Sequence, residues 1–411
     1  MSKISILINS FATLIVRGTT LGVRVLAFIL LAKIADQSIF GMLAFLMACT
    51  EIFRVIADMG LDNYTIKCIS QTQDEKEIDK ILSKSMTQKL LSAVLIFLLY
   101  FSIFKYSNPE WPAIYISLFG LMAVSPMFLN FSVNFYLAQQ KLDKIIVTII
   151  GVTVVILAAF MVFWSQKAVL PALSCVVIGE FFTAAILGYK VFKKHNVLWV
   201  SLKRVVNNLH RHYAIGIAML VAILYSRLDI VFIKYFFQDI SLAQYGFAQR
   251  ITEPALFIVG AFSANSYSLL SRYYMEGMQF FAIRIKKVIA LFFCLGVLIV
   301  ALTIAVSWFV VNHFYQDYLP VLPVIYLLCI AIIFKSVNLS LTSAVLAMGD
   351  FKVMTWVSFV NLTLSVIFIY LFLHLFGIYG AALGVIAVES INSCMQAAWV
   401  FKRTRLEKNV A

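Results

Sequence analysis

Residues 24–70, RVLAFILLAKIADQSIFGMLAFLMACTEIFRVIADMGLDNYTIKCIS, read as the second half of one apolar helix, a tight polar turn at Ala35-Asp36-Gln37-Ser38, and a second apolar helix that ends at Gly60. Glu51, Arg54 and Asp58 are three and four residues apart, so they share a face of that second helix. A blurred copy occupies residues 229–271, DIVFIKYFFQDISLAQYGFAQRITEPALFIVGAFSANSYSLLS, where Tyr245-Gly246 aligns with Phe40-Gly41, 205 positions earlier. A second match has nearly the same offset: Leu137-Ala138 followed by Asp143-Lys144 resembles Leu346-Ala347 followed by Phe351-Lys352. A charged hairpin used twice, half a chain apart, implies two related lobes.

Composition sets the class. The 411 residues are 63% hydrophobic and 13% charged, with a mean hydropathy of +0.96. Soluble domains are about 45–50% apolar and about 25% charged. The chain is therefore an all-α polytopic membrane protein, with no room left for a large soluble domain. Six cysteines (49, 68, 175, 294, 329 and 394) are scattered without CxxC spacing and read as small buried hydrophobes. Arg17 and Arg24 interrupt the first apolar run and no small-residue cleavage site follows, so the first helix should stay as an anchor.

Apolar windows of about 20 residues predict twelve spanning helices, at 9–34, 39–61, 85–106, 111–137, 145–165, 168–190, 213–236, 243–269, 287–312, 319–347, 353–376 and 379–401. They group as an N-terminal lobe (1–190), a linker (191–212) and a C-terminal lobe (213–411). Residues 67–84 read as a charged loop. With both termini placed in the cytoplasm, the inside segments hold 23 of the 33 Lys and Arg, the outside joints four and the membrane six. That asymmetry fixes the orientation and explains the net charge of +14 without a nucleic-acid partner. Trp111, Trp164, Trp308, Trp356 and Trp399 fall near helix ends, where an aromatic belt belongs. Six helices in each half make a parallel repeat whose pseudo-twofold axis runs along the membrane normal. In the linker, Leu198, Leu202, Val205, Val206 and Leu209 oppose Lys203, Arg204, Asn207, Asn208 and Arg211 at helical spacing. The pattern suits a helix lying on the anionic inner leaflet or, alternatively, one that docks a partner.

Twelve ionisable residues lie within the predicted spans: Arg17, Arg24, Glu51, Arg54, Asp58, Glu180, Arg227, Asp229, Arg250, Glu253, Lys335 and Glu389. Six cations facing lipid would cost on the order of 15–20 kcal/mol, so these groups face one another or a water-filled cavity. Arg17 and Arg24, seven apart, share a face. Glu51, Arg54 and Asp58 on the second helix, like Arg250 and Glu253 on the eighth, have partners at local spacing, which assigns them to interhelical packing. Glu180 and Glu389 suit either buried pairing or the binding of a coupling H+ or Na+. Arg24, Arg227 and Lys335 sit near mid-depth and are candidates for substrate contact, with Arg17 on the face of Arg24. A guanidinium grips phosphate with two parallel donors and keeps its charge when buried, so such a cavity would suit a pyrophosphate head group. No GxxxxGK[ST] loop or HExxH occurs, and the five histidines lack metal-ligand spacing.

Leu31-Ala32-Lys33, the turn with Phe40-Gly41, and Ala57-Asp58-Met59-Gly60-Leu61 resemble the opening of the bacterial O-antigen (Wzx-type) polysaccharide-unit flippases. The run SRLDIVFIKYFFQDISLAQYGFAQRITEP, with Arg227, Asp229, Tyr245 and Gly246, resembles the start of that family's second lobe. The resemblance implies the two-lobed, twelve-helix fold of the MATE-like exporters of the MOP superfamily. It also implies a substrate, an oligosaccharide unit on undecaprenyl pyrophosphate, flipped from inner to outer leaflet for O-antigen or lipopolysaccharide assembly at the bacterial inner membrane. A polysaccharide polymerase and chain-length proteins would be the partners, beside the membrane lipids. Carried over residue by residue, it places Arg17, Arg24 and Arg227 at the head group; Asp229 and Lys335 are added from their positions. Two other readings compete. One is a MATE-like antiporter for small cations, which would favour acids where the first helix has Arg. The other is a membrane polymerase or acyltransferase, which would need a sizeable outside loop. No catalytic or metal-binding residue is predicted.

Overall fold

The structure is a computed structural model that describes residues 3–237 and 239–408; the side chains of 3–14, 17, 261, 264, 265, 268, 351 and 406–408 lie outside the described residues. It is helical throughout. The helices are α1 (Lys3–Ile34), α2 (Gln37–Asp58), α3 (Leu61–Ser70), α4 (Glu75–Ser107), α5 (Ala113–Ala138), α6 (Asp143–Ser165), α7 (Val169–Phe192), α8 (Leu202–Leu209), α9 (Tyr213–Phe236), α10 (Asp239–Glu276), α11 (Met278–Phe314), α12 (Leu322–Ala347), α13 (Phe351–Phe376) and α14 (Ile378–Lys408). A 3-10 turn, Gln316–Val321, leads into α12. Among the described residues ten helical segments are long and apolar enough to cross a membrane. The first and eighth predicted spans correspond to α1 and α10, of 32 and 38 residues. In lipid a backbone can satisfy its own polar groups only as a helix or a closed barrel, so unbroken apolar runs of this length have one outcome.

The chain divides into two compact units: residues 1–36 with 46–223, and 37–45 with 224–411. Each has the same internal pairing. In the first, α5 packs on α4 and α7, and α7 on α6; in the second, α12 packs on α11 and α14, and α14 on α13. Short α3 packs on α5 much as α10 packs on α12. The repeat first seen in two short motifs thus extends through the packing of both halves.

The repeated aromatic-glycine pairs have a steric cause. A Cβ on Gly41 would come within 2.3 Å of the Asp239 carbonyl oxygen, and one on Gly246 within 2.4 Å of the Ala44 Cβ. Both glycines sit where the start of α2 meets the start of α10, and any side chain there would force the two helices apart. Phe40 and Tyr245, the residues before them, are fully buried.

Two expectations change in the first unit. The second helix does not run on past residue 58. Met59 (φ 44°) and Gly60 (φ 81°) are both left-handed, and the chain turns a corner into α3. The corner presses on α9, since a Cβ on Gly216 would meet the Met59 carbonyl oxygen at 2.4 Å. Nor is 67–84 a loop: only 71–74 separate α3 from α4. The Asp74 carboxylate accepts from the Lys76 amide at 3.0 Å, and Glu75 and Glu77 complement the helix dipole in the first turn. Ile78 and Leu82 bury themselves against Ile69, Phe131, Phe135 and Val191. The charges that made this segment look like a loop are the exposed face of an amphipathic helix.

A hydrogen-bonded chain ties α8 to the corner. Asn208, expected on the solvent face, is buried and donates to the Gln88 side-chain oxygen at 3.0 Å. The Gln88 amide meets Nε2 of buried His212 at 3.3 Å, and Nδ1 of His212 meets the Met59 carbonyl at 2.8 Å. This arrangement fits a neutral ring, with Nδ1–H donating and Nε2 accepting. Burial pulls the imidazole below its usual range, opposed by the hydrogen bond to Met59. Below about pH 6.5 the unfolded chain therefore binds a proton that the folded chain does not, and stability falls with pH through that region. Between about pH 7.5 and about pH 5.5, the melting temperature of the detergent-solubilised protein should drop further in wild type than in His212→Gln. Equal drops in both would rule out the buried neutral ring.

Candidate functional site

The first unit encloses a cavity of about 440 Å³ whose lining includes Arg24, Arg54, Asp58, Asp62, Asn130 and Glu180. Each polar group reaches it for a local reason. Pro126, inside α5, has no amide hydrogen, so the Met122 carbonyl one turn back loses its helical partner. The Arg24 guanidinium reaches that carbonyl at 3.4 Å and approaches the Ser125 hydroxyl at 3.5 Å. Its Nε and Nη2 bind the two carboxylate oxygens of Glu180 as a fork, and Ser125 donates to the same carboxylate at 2.5 Å. Arg24 therefore binds α7 and repairs the break in α5.

On the other wall Lys89 is 1% exposed, its ammonium 2.5 Å from Asp62 and 3.7 Å from Asp58. Asn130 donates to the second Asp62 oxygen at 2.8 Å, and the Asp58 carboxylate also caps the start of α3 by accepting from the Asp62 amide at 3.2 Å. This corrects two readings of the sequence. Lys89, counted with the inside loop, is a buried ion-pair partner. Asp58, assigned by spacing to Arg54, binds Lys89 instead, because the turn at Gly60 carries α3 back and brings Asp62 alongside it. Arg54 lines the cavity, its buried Nε without a hydrogen-bond partner. Glu51, also on α2, is partly buried. Arg17 belongs to α1, but its side chain lies outside the described residues.

In the second unit the Glu253 carboxylate stands between two guanidinium groups, with Arg227 at 2.8 Å and Arg250 at 2.6 Å. Asp229 is 4% exposed and takes hydrogen bonds from Tyr245 (2.7 Å), Gln249 (2.8 Å) and the Ile230 amide (2.8 Å). Those donors hold a carboxylate in an apolar interior. Glu389 accepts from Asn338 at 2.7 Å and lies 3.9 Å from the Lys335 ammonium, and Ser393 donates to Asn338 at 2.7 Å. Lys335 is half-buried, and Glu389 is buried.

Several of these partners went unread in the sequence. Ser125-Pro126 in the middle of an apolar run was a legible sign of a broken backbone hydrogen bond in need of a donor. Lys89, four residues into a predicted span, was a sign of a buried partner. Nothing local marks Tyr245 or Gln249 as the partners of Asp229.

A family model described as polysaccharide biosynthesis protein matches residues 6–273. The chain belongs to that family. No curated protein sequence matches it. Solved structures give the fold. An inward-facing multidrug resistance MATE transporter of the MOP superfamily superposes with a TM-score of 0.78 at 13% identity, over 97% of this chain and 99% of that one. An outward-facing one gives 0.69 at 14%, over 99% and 97%. A MOP superfamily transporter from Pyrococcus furiosus, described as having a binding pocket of reverse polarity that suggests a different function, gives 0.68 at 13%, over 98% and 96%. The chain thus carries the two-lobed MATE/MOP fold expected from its repeat, in a multi-pass membrane protein of a polysaccharide biosynthesis family.

Proposed function

We propose that the protein is a flippase, not an enzyme, that moves an undecaprenyl-pyrophosphate-linked oligosaccharide from the inner to the outer leaflet of the bacterial inner membrane. The oligosaccharide is an O-antigen or related surface polysaccharide unit, and transport proceeds by alternating access with both termini cytoplasmic. The observation that carries the reading is Arg54. In a cavity where Lys89 engages Asp58 and Asp62 and Arg24 engages Glu180, its buried guanidinium Nε has no hydrogen-bond partner. An incoming pyrophosphate supplies two-point acceptors to that guanidinium and competes with Glu180 for Arg24. An H+ or Na+ taken up at Glu180 would release Arg24 to the phosphate and couple ion flow to transport; Glu389, held by Asn338 beside Lys335, is the corresponding group of the second unit. Arg227 and Lys335 contribute positive charge from the C-terminal lobe. The flipped lipid is then used by a polysaccharide polymerase and its chain-length partner.

The acids in the cavity would be the attraction for small organic cations in a MATE-like antiporter, but each of the three has a cation partner already. Vesicles reconstituted with the purified protein decide between the two readings. Protein-dependent exposure of a fluorescent lipid-linked oligosaccharide on the opposite leaflet is expected, without uptake of organic cations. Cation uptake with no lipid movement would overturn the proposal.

A further inference from the structure

A groove of about 650 Å³ runs between the first three turns of α4 and the segment 196–211, well away from the cavity around Arg24. Lys76, Lys80 and Lys84 line it from α4 at four-residue spacing, one stripe on one helix face. Arg204 and Arg211 line it from the other side. The single acid in its lining, Asp79, is already held by His195 Nδ1 at 2.7 Å. Among the described residues no ion pair neutralises Lys76, Lys80, Lys84 or Arg204. The nearby Glu75 is matched with Lys194 at 3.8 Å.

The groove is held open by the backbone. The Leu198 amide donates to Ser83 at 3.0 Å, the Val200 amide to Thr87 at 3.2 Å and the Asn208 side chain to Gln88 at 3.0 Å, so the linker is stitched along α4. That stitching also explains why the apolar face expected on this segment divides. Val205 turns inward and is buried, while Leu198, Trp199 and Leu202 remain 66%, 68% and 66% exposed beside the cations. Large exposed apolar groups next to clustered cations are complementary to one kind of molecule, with a phosphate at one end and hydrocarbon at the other.

We propose that this groove is a binding site for an anionic membrane phospholipid. The head-group phosphate sits among Lys80, Lys84 and Arg204, and an acyl chain lies along Leu198, Trp199 and Leu202. The site is separate from the transport cavity and keeps the linker seated on the leaflet. The proposal does not depend on what the transporter carries.

Native mass spectrometry of the purified full-length protein with added phosphatidylglycerol or phosphatidylcholine tests it. Wild type should retain one more phosphatidylglycerol than phosphatidylcholine. Lys80→Gln/Lys84→Gln/Arg204→Gln should weaken phosphatidylglycerol retention by at least about tenfold. The charge-preserving Lys80→Arg/Lys84→Arg/Arg204→Lys should retain the lipid like wild type. Millimolar inorganic phosphate should leave the lipid bound, whereas full displacement would mark a soluble-phosphate site and overturn the lipid assignment. Equal retention of the two lipids, equal retention by wild type and the Gln variant, or loss in the charge-preserving variant would each overturn it as well.

Discussion

Arg54→Gln should reduce delivery of surface polysaccharide by roughly ten- to a hundredfold while the protein accumulates in the membrane at wild-type levels. The size follows from what the substitution removes. A hydrogen bond to a charged group contributes about 1.5–3 kcal/mol, and a forked guanidinium–phosphate contact makes two of them. The lower figure alone is about tenfold in an equilibrium constant. Folding should survive because the buried Nε of Arg54 has no hydrogen-bond partner and its acidic neighbours Asp58 and Asp62 stay with Lys89. Arg54→Lys keeps the charge but loses the fork, so it should fall between the two. The assay is complementation of a strain lacking this gene, with polysaccharide quantified against membrane abundance of the protein. Wild-type polysaccharide from Arg54→Gln would remove Arg54 from the site and with it the main support for an anionic cargo.

Glu180→Ala should lower the stability of the folded protein by about 3–5 kcal/mol, because it strands a buried guanidinium. The Arg24 side chain is 8% exposed and its fork closes on Glu180, with only the Met122 carbonyl and Ser125 left to receive it. Arg24→Met/Glu180→Leu removes both charges together and should recover most of the loss, since a buried ion pair is often replaceable by apolar groups of similar volume. Transport should not recover with stability. Thermal unfolding in detergent for both singles and the double, beside flipping in vesicles, separates the two roles. Additive destabilisation in the double would show that the groups do not act as a pair, and flipping at wild-type rate in the double would show that neither touches the cargo.

Much of the architecture was legible from the chain. Apolar run length dictated the helices, cation placement gave an orientation, and two motifs at a common offset revealed the lobes that the packing of α5, α7, α12 and α14 repeats. The list of intramembrane charges was also legible, because in an apolar run a charge is conspicuous wherever it points. Their partners were less so. Spacing along one helix identified Arg250 with Glu253, yet failed for Arg54 and Asp58, since the chain turns at Met59-Gly60 and a lysine on α4 arrives from 27 positions beyond Asp62. Residues 75–84 went unread as helix because their charges pattern on one face only, and the apolar face is short.

What the sequence determined by itself was therefore the list of parts: spanning helices, two lobes, and a set of charges that lipid would not tolerate. Residues 24–70 contain most of that information, from the Arg on the first helix to the corner at Gly60. Which charge meets which was decided only in three dimensions. An ion pair in a membrane protein is formed by side chains on neighbouring helices, and local spacing is silent about neighbours. Proline in α5 opens a carbonyl, α1 supplies Arg24 to close it, and α7 supplies Glu180 to hold that arginine in place. The buried Nε of Arg54 is left without such a partner on the cavity wall.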